Sequence, residues 1–458
     1  MEMKNKKVLI VGLATTGIPL VTVLKKLGAK VSITDTKQGI ELKETIEKLN
    51  LTADELLLGY QLSNIEEAGN PELIVVSPGV PMEIPLILDA EDKGIEVIGE
   101  IELAYRLMRG HLVAITGTNG KTTTTALTGE IFKNEKSRTH VVGNIGVPII
   151  SKVLDSTEED VFITEVSSFQ LESVKNFKPE VAAILNLSPD HLNRHKTMEN
   201  YTFCKMNIFK KQGADNTAVI NYDDLLLRKL TLNLPSKKVY FSRLKQLEEG
   251  VFIQDDKIFI RSNGKEIEII DKKQLKILGE HNVENALEAT AIAWSMGIGM
   301  DSIRKGLINF QGVEHRMEIC GKVQGITFIN DSKGTNPDAS IKAVEAVNDP
   351  ILLLAGGMDK GSDFKELIDR FPGRVKSLVL YGETASIIEQ TARNKGFLNT
   401  TILEDLEEAV KFAFHHGQAG DVILLSPACA SWDMYSSYEK RGEHFKEIFH
   451  KLRGKFHD

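Results

Sequence analysis

Cysteine is scarce in this chain of 458 residues, which contains only Cys204, Cys320 and Cys429. The three are odd in number and far apart, and they lack the spacing of metal-ligand motifs. This usage excludes a disulfide framework and favours reduced thiols in a cytoplasmic protein. A chain of this length can bury sizeable cores without cross-links.

Long apolar runs and blocks of positive charge are also missing. No stretch offers 18 apolar residues, so we expect no membrane insertion. The first residues, MEMKNKKVLIVG, enter a strand directly and do not resemble a signal peptide. The net charge is −8, and Lys and Arg occur only in short pairs. These features argue against a nucleic-acid partner but leave room for a local phosphate pocket.

Short apolar runs instead alternate with amphipathic segments along nearly the whole chain, which is typical of parallel sheets with crossover helices. We predict an α/β fold with three domains in series: a Rossmann-like N-terminal domain (1–99), a central phosphate-loop ATPase domain (100–312) and a Rossmann-like C-terminal domain (313–458). In the central domain the predicted strands lie at 111–115, near 141, at 161–164 and at 181–185, followed by helices at 282–296 and 301–309.

The most specific motif is TGTNGKTT, between an apolar strand that ends at Ile115 and a helix. Glycines let backbone amides approach phosphate oxygens, and the helix N-terminus adds partial positive charge. Lys121 can neutralise the β- and γ-phosphates, and the Thr122 hydroxyl can bind Mg²⁺. The common eight-residue phosphate loop would need glycine at position 115, so this is a shorter variant. The candidate nucleotide-binding residues are Gly117, Thr118, Asn119, Gly120, Lys121, Thr122 and Thr123.

Polar side chains follow the next strands. Glu165 ends one strand, where a carboxylate can hold Mg²⁺. A later strand leads into Asp190, His191 and His195, and we assign no role to His195. Lys205 falls on the apolar face of a helix: it either snorkels past its neighbours or is a buried amine with a lowered pKa, which could react with CO₂ to form a carbamate.

Near the N-terminus, Gly12 to Gly17 form a degraded dinucleotide fingerprint, and Asp35 ends the second strand where a ribose-binding acid would sit. The pattern fits a nicotinamide-dependent oxidoreductase or a plain strand–helix turn. An oxidoreductase would not explain TGTNGKTT.

TGTNGKTT resembles the signature of the Mur ligase family, which also includes the folylpolyglutamate synthases. The resemblance continues through Asn186 to His191, GEHNVENALEA, the Arg316 region and DSKGTNP. It implies ATP and two Mg²⁺ ions as cofactors and a carbamylated lysine at Lys205. The implied metal ligands are Thr122, Glu165, His191 and Lys205, and the implied catalytic residues are Lys121, Lys205, His191 and Arg316.

Within the family, the chain most resembles the members that add D-glutamate to UDP-N-acetylmuramoyl-L-alanine through an acyl phosphate. Asn282, Asn285, Arg316 and Asp331 would complete the ATP site, although Asn282 also fits a helix N-cap. The expected amino-acid site is Thr335, Lys360, Ser431, Trp432 and Tyr438. The expected precursor site is Thr15, Thr16, Asp35, Thr36, Ser77, Gly79, Asn144, Ser167 and Gln170. We expect a monomer. A folylpolyglutamate synthase-type ligase and a nucleotide-gated binding module without catalysis remain the alternatives.

Overall fold

The computed structural model describes residues 2–13, 16–59, 61–358 and 361–456. The chain divides into two compact units, Met1–Gln274 with Glu284–Ile308 and Leu275–Val283 with Asn309–Asp458. The first unit contains two sheets and the second contains one. Among the described residues, no helix combines the length and the apolar character needed to cross a bilayer.

The N-terminal sheet has five parallel strands in the order β3-β2-β1-β4-β5. Its strands are β1 (Lys7–Val11), β2 (Lys30–Asp35), β3 (Leu56–Leu58), β4 (Leu73–Val76) and β5 (Glu96–Gly99), with helices α1 (Gly17–Lys26), α2 (Lys43–Lys48), α3 (Pro85–Asp92) and α4 (Glu100–Leu107). The strand order reverses beside β1, which places the glycine turn after β1 at the point where open α/β sheets bind ligands.

The central sheet has nine strands in the order β14-β13-β12-β11-β10-β9-β6-β8-β7. Its strands are β6 (His111–Thr116), β7 (Thr139–Gly143), β8 (Val161–Glu165), β9 (Val181–Ile184), β10 (Thr217–Asn221), β11 (Lys237–Ser242), β12 (Gly250–Gln254), β13 (Lys257–Ser262) and β14 (Lys265–Asp271). The accompanying helices are α5 (Lys121–Lys133), α6 (Ser168–Glu172), α7 (Leu192–His195), α8 (Met198–Met206), α9 (Leu225–Leu230), α10 (Glu280–Ser295) and α11 (Met300–Asn309). Strands β12, β13 and β14 form an antiparallel edge.

The C-terminal sheet has six strands in the order β15-β16-β20-β17-β18-β19, with only β15 antiparallel to its neighbour. Its strands are β15 (Glu318–Val323), β16 (Ile326–Asn330), β17 (Ile351–Gly356), β18 (Val375–Tyr381), β19 (Thr400–Ile402) and β20 (Val422–Leu425). Its helices are α12 (Pro337–Ala346), α13 (Lys365–Asp369), α14 (Ala385–Asn394), α15 (Leu406–His416) and α16 (Tyr438–Lys455). Apolar clusters cover both faces of this sheet, as its nearly all-parallel pairing requires.

The α/β fold with three sheets in series confirms the predicted fold class. Strands β10 to β14, which extend the central sheet beyond strand β9, were not predicted from the sequence. Residues 250–271 form two hairpin connections, and their strands are partly exposed, so they lack the long apolar runs of the buried parallel strands.

Candidate active site

The loop between β6 and α5 can be built only with glycine at two positions. Gly117 has φ 153° and Gly120 has φ 87°. A Cβ atom at position 117 would lie 2.9 Å from the Leu185 Cβ, and one at position 120 would overlap the Asn285 Oδ1. The backbone at these two positions therefore approaches its neighbours too closely for any side chain. Residues 117–120, in front of the N-terminus of α5, form the loop that we call the phosphate cradle.

Asn186 holds this loop in shape. The amide of Thr118 donates to the Asn186 carbonyl at 3.0 Å, and the amide of Asn119 donates to the Asn186 Oδ1 at 2.9 Å. The Asn186 Nδ2 donates back to the Asn119 carbonyl at 3.2 Å. Asn186 was part of a sequence motif, but the sequence did not indicate this role.

The side chain of Lys121 folds back over the loop. Its Nζ donates to the carbonyls of Gly117 and Thr118, both at 2.9 Å. Thr122 and Thr123 are buried in the first turn of α5. An ammonium group beside a helix N-terminus makes the cradle attractive to phosphate oxygens.

Lys205 is buried against the other side of the same loop. Its side chain is 1% exposed, and its Nζ donates to the Gly117 carbonyl at 2.8 Å and to the Thr116 Oγ1 at 3.2 Å. The ammonium also lies 4.9 Å from the centre of the Tyr201 ring. Burial, followed by the positive charge of Lys121, holds the pKa of Lys205 well below its ordinary value. The buried-amine interpretation of Lys205 therefore fits better than the snorkelling one.

Glu165 ends β8 with its carboxylate buried. Its Oε1 accepts a hydrogen bond from the Asn144 Nδ2 at 2.9 Å. No described residue hydrogen-bonds its buried Oε2. An orphaned carboxylate oxygen beside a phosphate loop is costly unless a cation completes it, so this donor set fits Mg²⁺.

His191 and His195 differ in their surroundings. His191 has φ 51° before α7 and a side chain that is 51% exposed, tilted against Phe169. His195 is buried, and its Nε2 lies 2.9 Å from the Ser168 Oγ. Burial lowers the pKa of His195 and raises the pKa of the Cys204 thiol to about 11, so both groups are neutral near pH 7.

Arg194, which was not singled out from the sequence, connects the first two sheets. Its guanidinium donates to Glu172 at 2.6 Å and to the Val80 carbonyl at 2.8 Å. Val80 belongs to the loop after β4 that contains Ser77 and Gly79, both predicted for the precursor. Arg194 therefore fixes that loop relative to α6 and α7.

Most of the other predicted precursor residues lie at or just after the carboxyl ends of strands in the first unit. Ser167 caps α6 and exchanges hydrogen bonds with Gln170. Asp35 accepts from the amides of Leu13 and Lys37 at 2.7 and 2.9 Å, and Ser77 donates to the Gly12 carbonyl at 2.6 Å. Thr16 has a buried hydroxyl with no hydrogen-bond partner among the described residues, and Thr36 is exposed. Thr15 lies outside the described residues.

In the second unit, Asp331 follows β16 and is buried. Its Oδ1 accepts from the Met317 amide at 3.2 Å and its Oδ2 from the Ser426 Oγ at 2.7 Å. Burial raises its pKa to about 6, while the Ser426 hydrogen bond and the charge of Arg316 oppose that rise. Arg316 is half-buried, and its charge helps burial lower the pKa of His281 to about 4.

The predicted N-cap role of Asn282 is wrong. Helix α10 begins at Glu280, so Asn282 lies inside its first turn. Its Nδ2 instead donates to the Leu278 carbonyl at 2.6 Å. In the first unit, the Asn285 Oδ1 accepts from the Thr124 Oγ1 of the phosphate-loop helix at 3.3 Å.

Arg441, which was missed in the sequence, organises two segments that were predicted to bind the amino acid. It is fully buried, and its guanidinium donates to the hydroxyl and carbonyl of Ser332 at 3.0 and 2.8 Å. It also donates to the carbonyls of Cys429 and Ala430 at 3.2 and 3.3 Å. Phe445 and Ile448, which follow Arg441 by one and two helical turns, are buried on the same face of α16 and are the sequence signal that could have indicated its burial.

Arg441 thus fixes both the segment just before Thr335 and the segment just before Ser431, two residues of the predicted amino-acid site. Ser431 is buried, and Trp432 is 62% exposed. Tyr438 begins α16, with the Lys333 Nζ 5.6 Å from its ring centre. Lys360 lies outside the described residues.

Family models match all three parts of the chain: the Mur ligase MurD-like N-terminal domain (6–99), the Mur ligase middle domain (115–293) and the Mur ligase glutamate ligase domain (315–429). The UDP-N-acetylmuramoylalanine–D-glutamate ligase of Alkaliphilus oremlandii is 58% identical over 99% of this chain and all of the relative. The ligase of the same name from Clostridioides difficile is 47% identical, with the same coverage.

Among solved structures, the UDP-N-acetylmuramate–alanine ligase of Thermotoga maritima superposes with a TM-score of 0.61 at 18% identity, over 97% of this chain and 99% of that one. A MurF ligase from the same organism, in complex with ADP, gives 0.59 at 17% identity, over 99% and 96%. These two likenesses concern the fold. Taken with the full-length identities and the three matched domains, they establish that the chain belongs to the Mur ligase family.

Proposed function

We propose that this chain is an ATP-dependent ligase that joins D-glutamate to the L-alanine carboxylate of UDP-N-acetylmuramoyl-L-alanine, a step of peptidoglycan precursor synthesis. Two relatives named UDP-N-acetylmuramoylalanine–D-glutamate ligase align over their full length at 58% and 47% identity. The structural observation that carries the proposal is the phosphate loop whose Gly117 carbonyl accepts hydrogen bonds from both Lys121 and Lys205.

ATP would bind with its phosphates in the cradle of Gly117, Thr118, Asn119 and Gly120. Lys121 would neutralise the β- and γ-phosphates from above the loop, and Thr122 and Thr123 would face them from the first turn of α5. Asn282 and Asn285 would contact the adenine, Asp331 the ribose and Arg316 the γ-phosphate. Arg316 suits this task because its guanidinium can donate two parallel hydrogen bonds.

Two Mg²⁺ ions would be held by the oxygen donors behind the loop. Thr122 and the orphaned Oε2 of Glu165 are candidate ligands, with His191 completing the set. When bound, Mg²⁺ offsets the negative charge of the phosphates.

Lys205 would act in its carbamylated form, as a carboxylate ligand for the second Mg²⁺. Carbamate formation needs a neutral amine, and the lowered pKa of Lys205 raises the neutral fraction of this amine above that of an ordinary lysine. Lys121 then lies near a negative carbamate instead of a second ammonium, which is electrostatically favourable.

The reaction has two steps. The precursor carboxylate oxygen attacks the γ-phosphorus of ATP, the bond to the β-phosphate oxygen breaks, and ADP leaves. The amine of D-glutamate then attacks the acyl carbon, loses a proton and expels inorganic phosphate. The protein accelerates these steps by positioning the reactants and neutralising charge, through Lys121 and Arg316 in particular.

The precursor would lie across the first unit. Thr15, Thr16, Asp35, Thr36, Ser77 and Gly79 would surround its UDP portion, and Asn144, Ser167 and Gln170 would contact it nearer the reacting carboxylate. Thr335, Lys360, Ser431, Trp432 and Tyr438 would bind D-glutamate. The domain boundaries 1–99, 100–312 and 313–458, a monomeric state and a cytoplasmic location belong to the same proposal.

The proposal is tested by measuring phosphate release from ATP and Mg²⁺ by the purified chain. UDP-N-acetylmuramoyl-L-alanine should support release with D-glutamate and not with L-glutamate or other amino acids of either hand. Release with a folate and L-glutamate, but not with the UDP-linked precursor, would instead establish a folylpolyglutamate synthase-type ligase. Absence of release under both conditions would favour a binding module.

A further inference from the structure

Three side chains from three successive helices of the first unit meet in one cluster: Glu172 at the end of α6, His195 at the end of α7 and Cys204 within α8. One potential ligand atom of each lies within 4.8 Å of the others. His195 is buried and the other two are half-buried. The proposed ligase chemistry uses none of the three.

The hydrogen bonding of His195 directs one ring nitrogen into the cluster. The His195 Nε2 lies 2.9 Å from the Ser168 Oγ, which can accept its proton or donate to it, so Ser168 can hold the tautomer that is protonated on Nε2. That tautomer leaves the Nδ1 lone pair facing the Glu172 Oε1 at 3.5 Å. Metal-binding histidines are commonly oriented in this way by a partner on the second nitrogen.

Arg194 binds the two oxygens of Glu172 unequally. Its Nη2 donates to the Glu172 Oε2 at 2.6 Å, and its Nε donates a longer, weaker hydrogen bond to Oε1 at 3.3 Å. The carbonyl of Val80 keeps the guanidinium in place from the other side, at 2.8 Å. Arg194 therefore orients the carboxylate through Oε2 while Oε1 points towards His195.

We propose that Glu172, His195 and Cys204 form a binding site for a thiophilic divalent cation such as Zn²⁺. One sulfur, one nitrogen and one oxygen ligand suit Zn²⁺, with water in the fourth position. On coordination the Cys204 thiol loses its proton to solvent and the thiolate binds the cation. Mg²⁺ prefers oxygen ligands and would not compete for this site.

A cation at this position would tie α6, α7 and α8 together. Cys204 directly precedes Lys205, and α6 carries Gln170, so the linked helices hold residues of the candidate active site. Binding to the folded state alone stabilises that state by mass action. The cation should therefore raise the melting temperature of the chain.

The test uses the full-length, tag-free chain with Cd²⁺ as the probe, in the presence of excess Mg²⁺. The native chain should show a thiolate-to-metal charge-transfer band that saturates at one Cd²⁺ per chain, with a rise in melting temperature. Cys204→Ser should abolish the band and the rise, and His195→Gln should weaken binding by at least about 10- to 100-fold, the loss that follows removal of an outer-shell partner alone. Cys320→Ser is the matched control and should behave as the native chain does.

These readouts do not depend on ligase activity, so the outcome is independent of the proposed function. Failure of the native chain to give the band would overturn the site. A band that survives in Cys204→Ser, or disappears in Cys320→Ser, would also overturn it, because another thiol would then be the ligand.

Discussion

Lys121 and Lys205 donate to the same backbone oxygen, the carbonyl of Gly117, from 2.9 and 2.8 Å. Two ammonium groups this close repel each other, and the charge of Lys121 is, after burial, one cause of the lowered pKa of Lys205. Lys205, the buried member of the pair, therefore loses its proton more readily than an ordinary lysine does. This relationship explains how a lysine can become a carbamate ligand beside a phosphate loop.

We predict that the activity depends on CO₂ through Lys205. Lys205→Ala should lower kcat by at least about 10²-fold, the scale of losing one electrostatic group at a reacting centre, and formate or acetate should restore part of it. The native chain should lose activity in CO₂-depleted buffer and regain it with bicarbonate.

The matched control for this prediction is Lys210→Ala, since Lys210 is exposed just beyond the same helix. It should retain native kinetics. Native activity that is indifferent to bicarbonate, together with no rescue of Lys205→Ala, would rule out the carbamate.

Gly120→Ala should destabilise the phosphate loop. Position 120 has a φ of 87°, which is unfavourable for alanine, and the new Cβ would overlap the Asn285 Oδ1. Gly297→Ala is the control, because Gly297 has φ 74° and no neighbour within 4 Å of the place where a Cβ would lie, so it reports the backbone strain alone, about 1–2 kcal/mol. Urea unfolding should show a larger loss for Gly120→Ala, and equal losses would mean that the contact with Asn285 is not tight.

The stability of the first unit should depend on the protonation of Glu100. Burial raises the pKa of Glu100 to about 7 from an ordinary value of 4.5, although the Ile150 amide donates to it at 3.0 Å. The folded state keeps a proton that the unfolded state has lost, so stability falls as pH rises from about 4.5 to about 7 and then levels off. The difference between the two pKa values corresponds to a loss of roughly 3 kcal/mol in the free energy of unfolding.

Glu100→Gln removes this dependence. The free energy of unfolding of the native chain should fall from pH 5 to pH 8, whereas the contribution of residue 100 in the variant stays constant. The difference between variant and native chain, measured by urea unfolding at both pH values, should therefore shift in favour of the variant. Glu91→Gln, an exposed change nearby, should give no such difference. A constant offset between Glu100→Gln and the native chain at all pH values would mean that Glu100 is already ionised when folded.

Arg441 should control the affinity for the amino acid. Arg441→Lys keeps the charge but loses most of the hydrogen bonds to Ser332, Cys429 and Ala430 that fix the two segments. We expect the KM for D-glutamate to rise about 10-fold, equivalent to roughly 1.4 kcal/mol or one to two hydrogen bonds, with the KM for ATP little changed. Arg453→Lys, exposed on the same helix, should leave both constants unchanged, and an equal rise in both KM values for Arg441→Lys would indicate general loosening of the fold.

The sequence indicated the parts of the site that are local along the chain. TGTNGKTT specifies strand, loop and helix within a few residues, and Glu165 was placed correctly at a strand end because β8 is an apolar run with a clear boundary. Helical spacing placed Lys205 on a buried face, and the structure confirms its burial.

The parts that the sequence did not indicate depend on contacts distant along the chain. Arg194 reaches the Val80 carbonyl and Arg441 reaches Ser332, and the local sequence around each arginine does not name these partners. Asn282 failed as an N-cap because helix α10 starts two residues earlier, which is within the usual uncertainty of helix ends. The edge strands β12 to β14 are only partly buried, so they lack the continuous apolar runs by which the buried parallel strands were found.

The central claim is that the precursor carboxylate is activated as an acyl phosphate, and oxygen-isotope transfer tests it most directly. The chain would be given UDP-N-acetylmuramoyl-L-alanine labelled with ¹⁸O in the alanine carboxylate, together with ATP, Mg²⁺ and D-glutamate, and the released phosphate analysed by mass spectrometry. The proposed mechanism predicts one ¹⁸O atom in each phosphate released. Phosphate without ¹⁸O, formed along with the amide product, would contradict it.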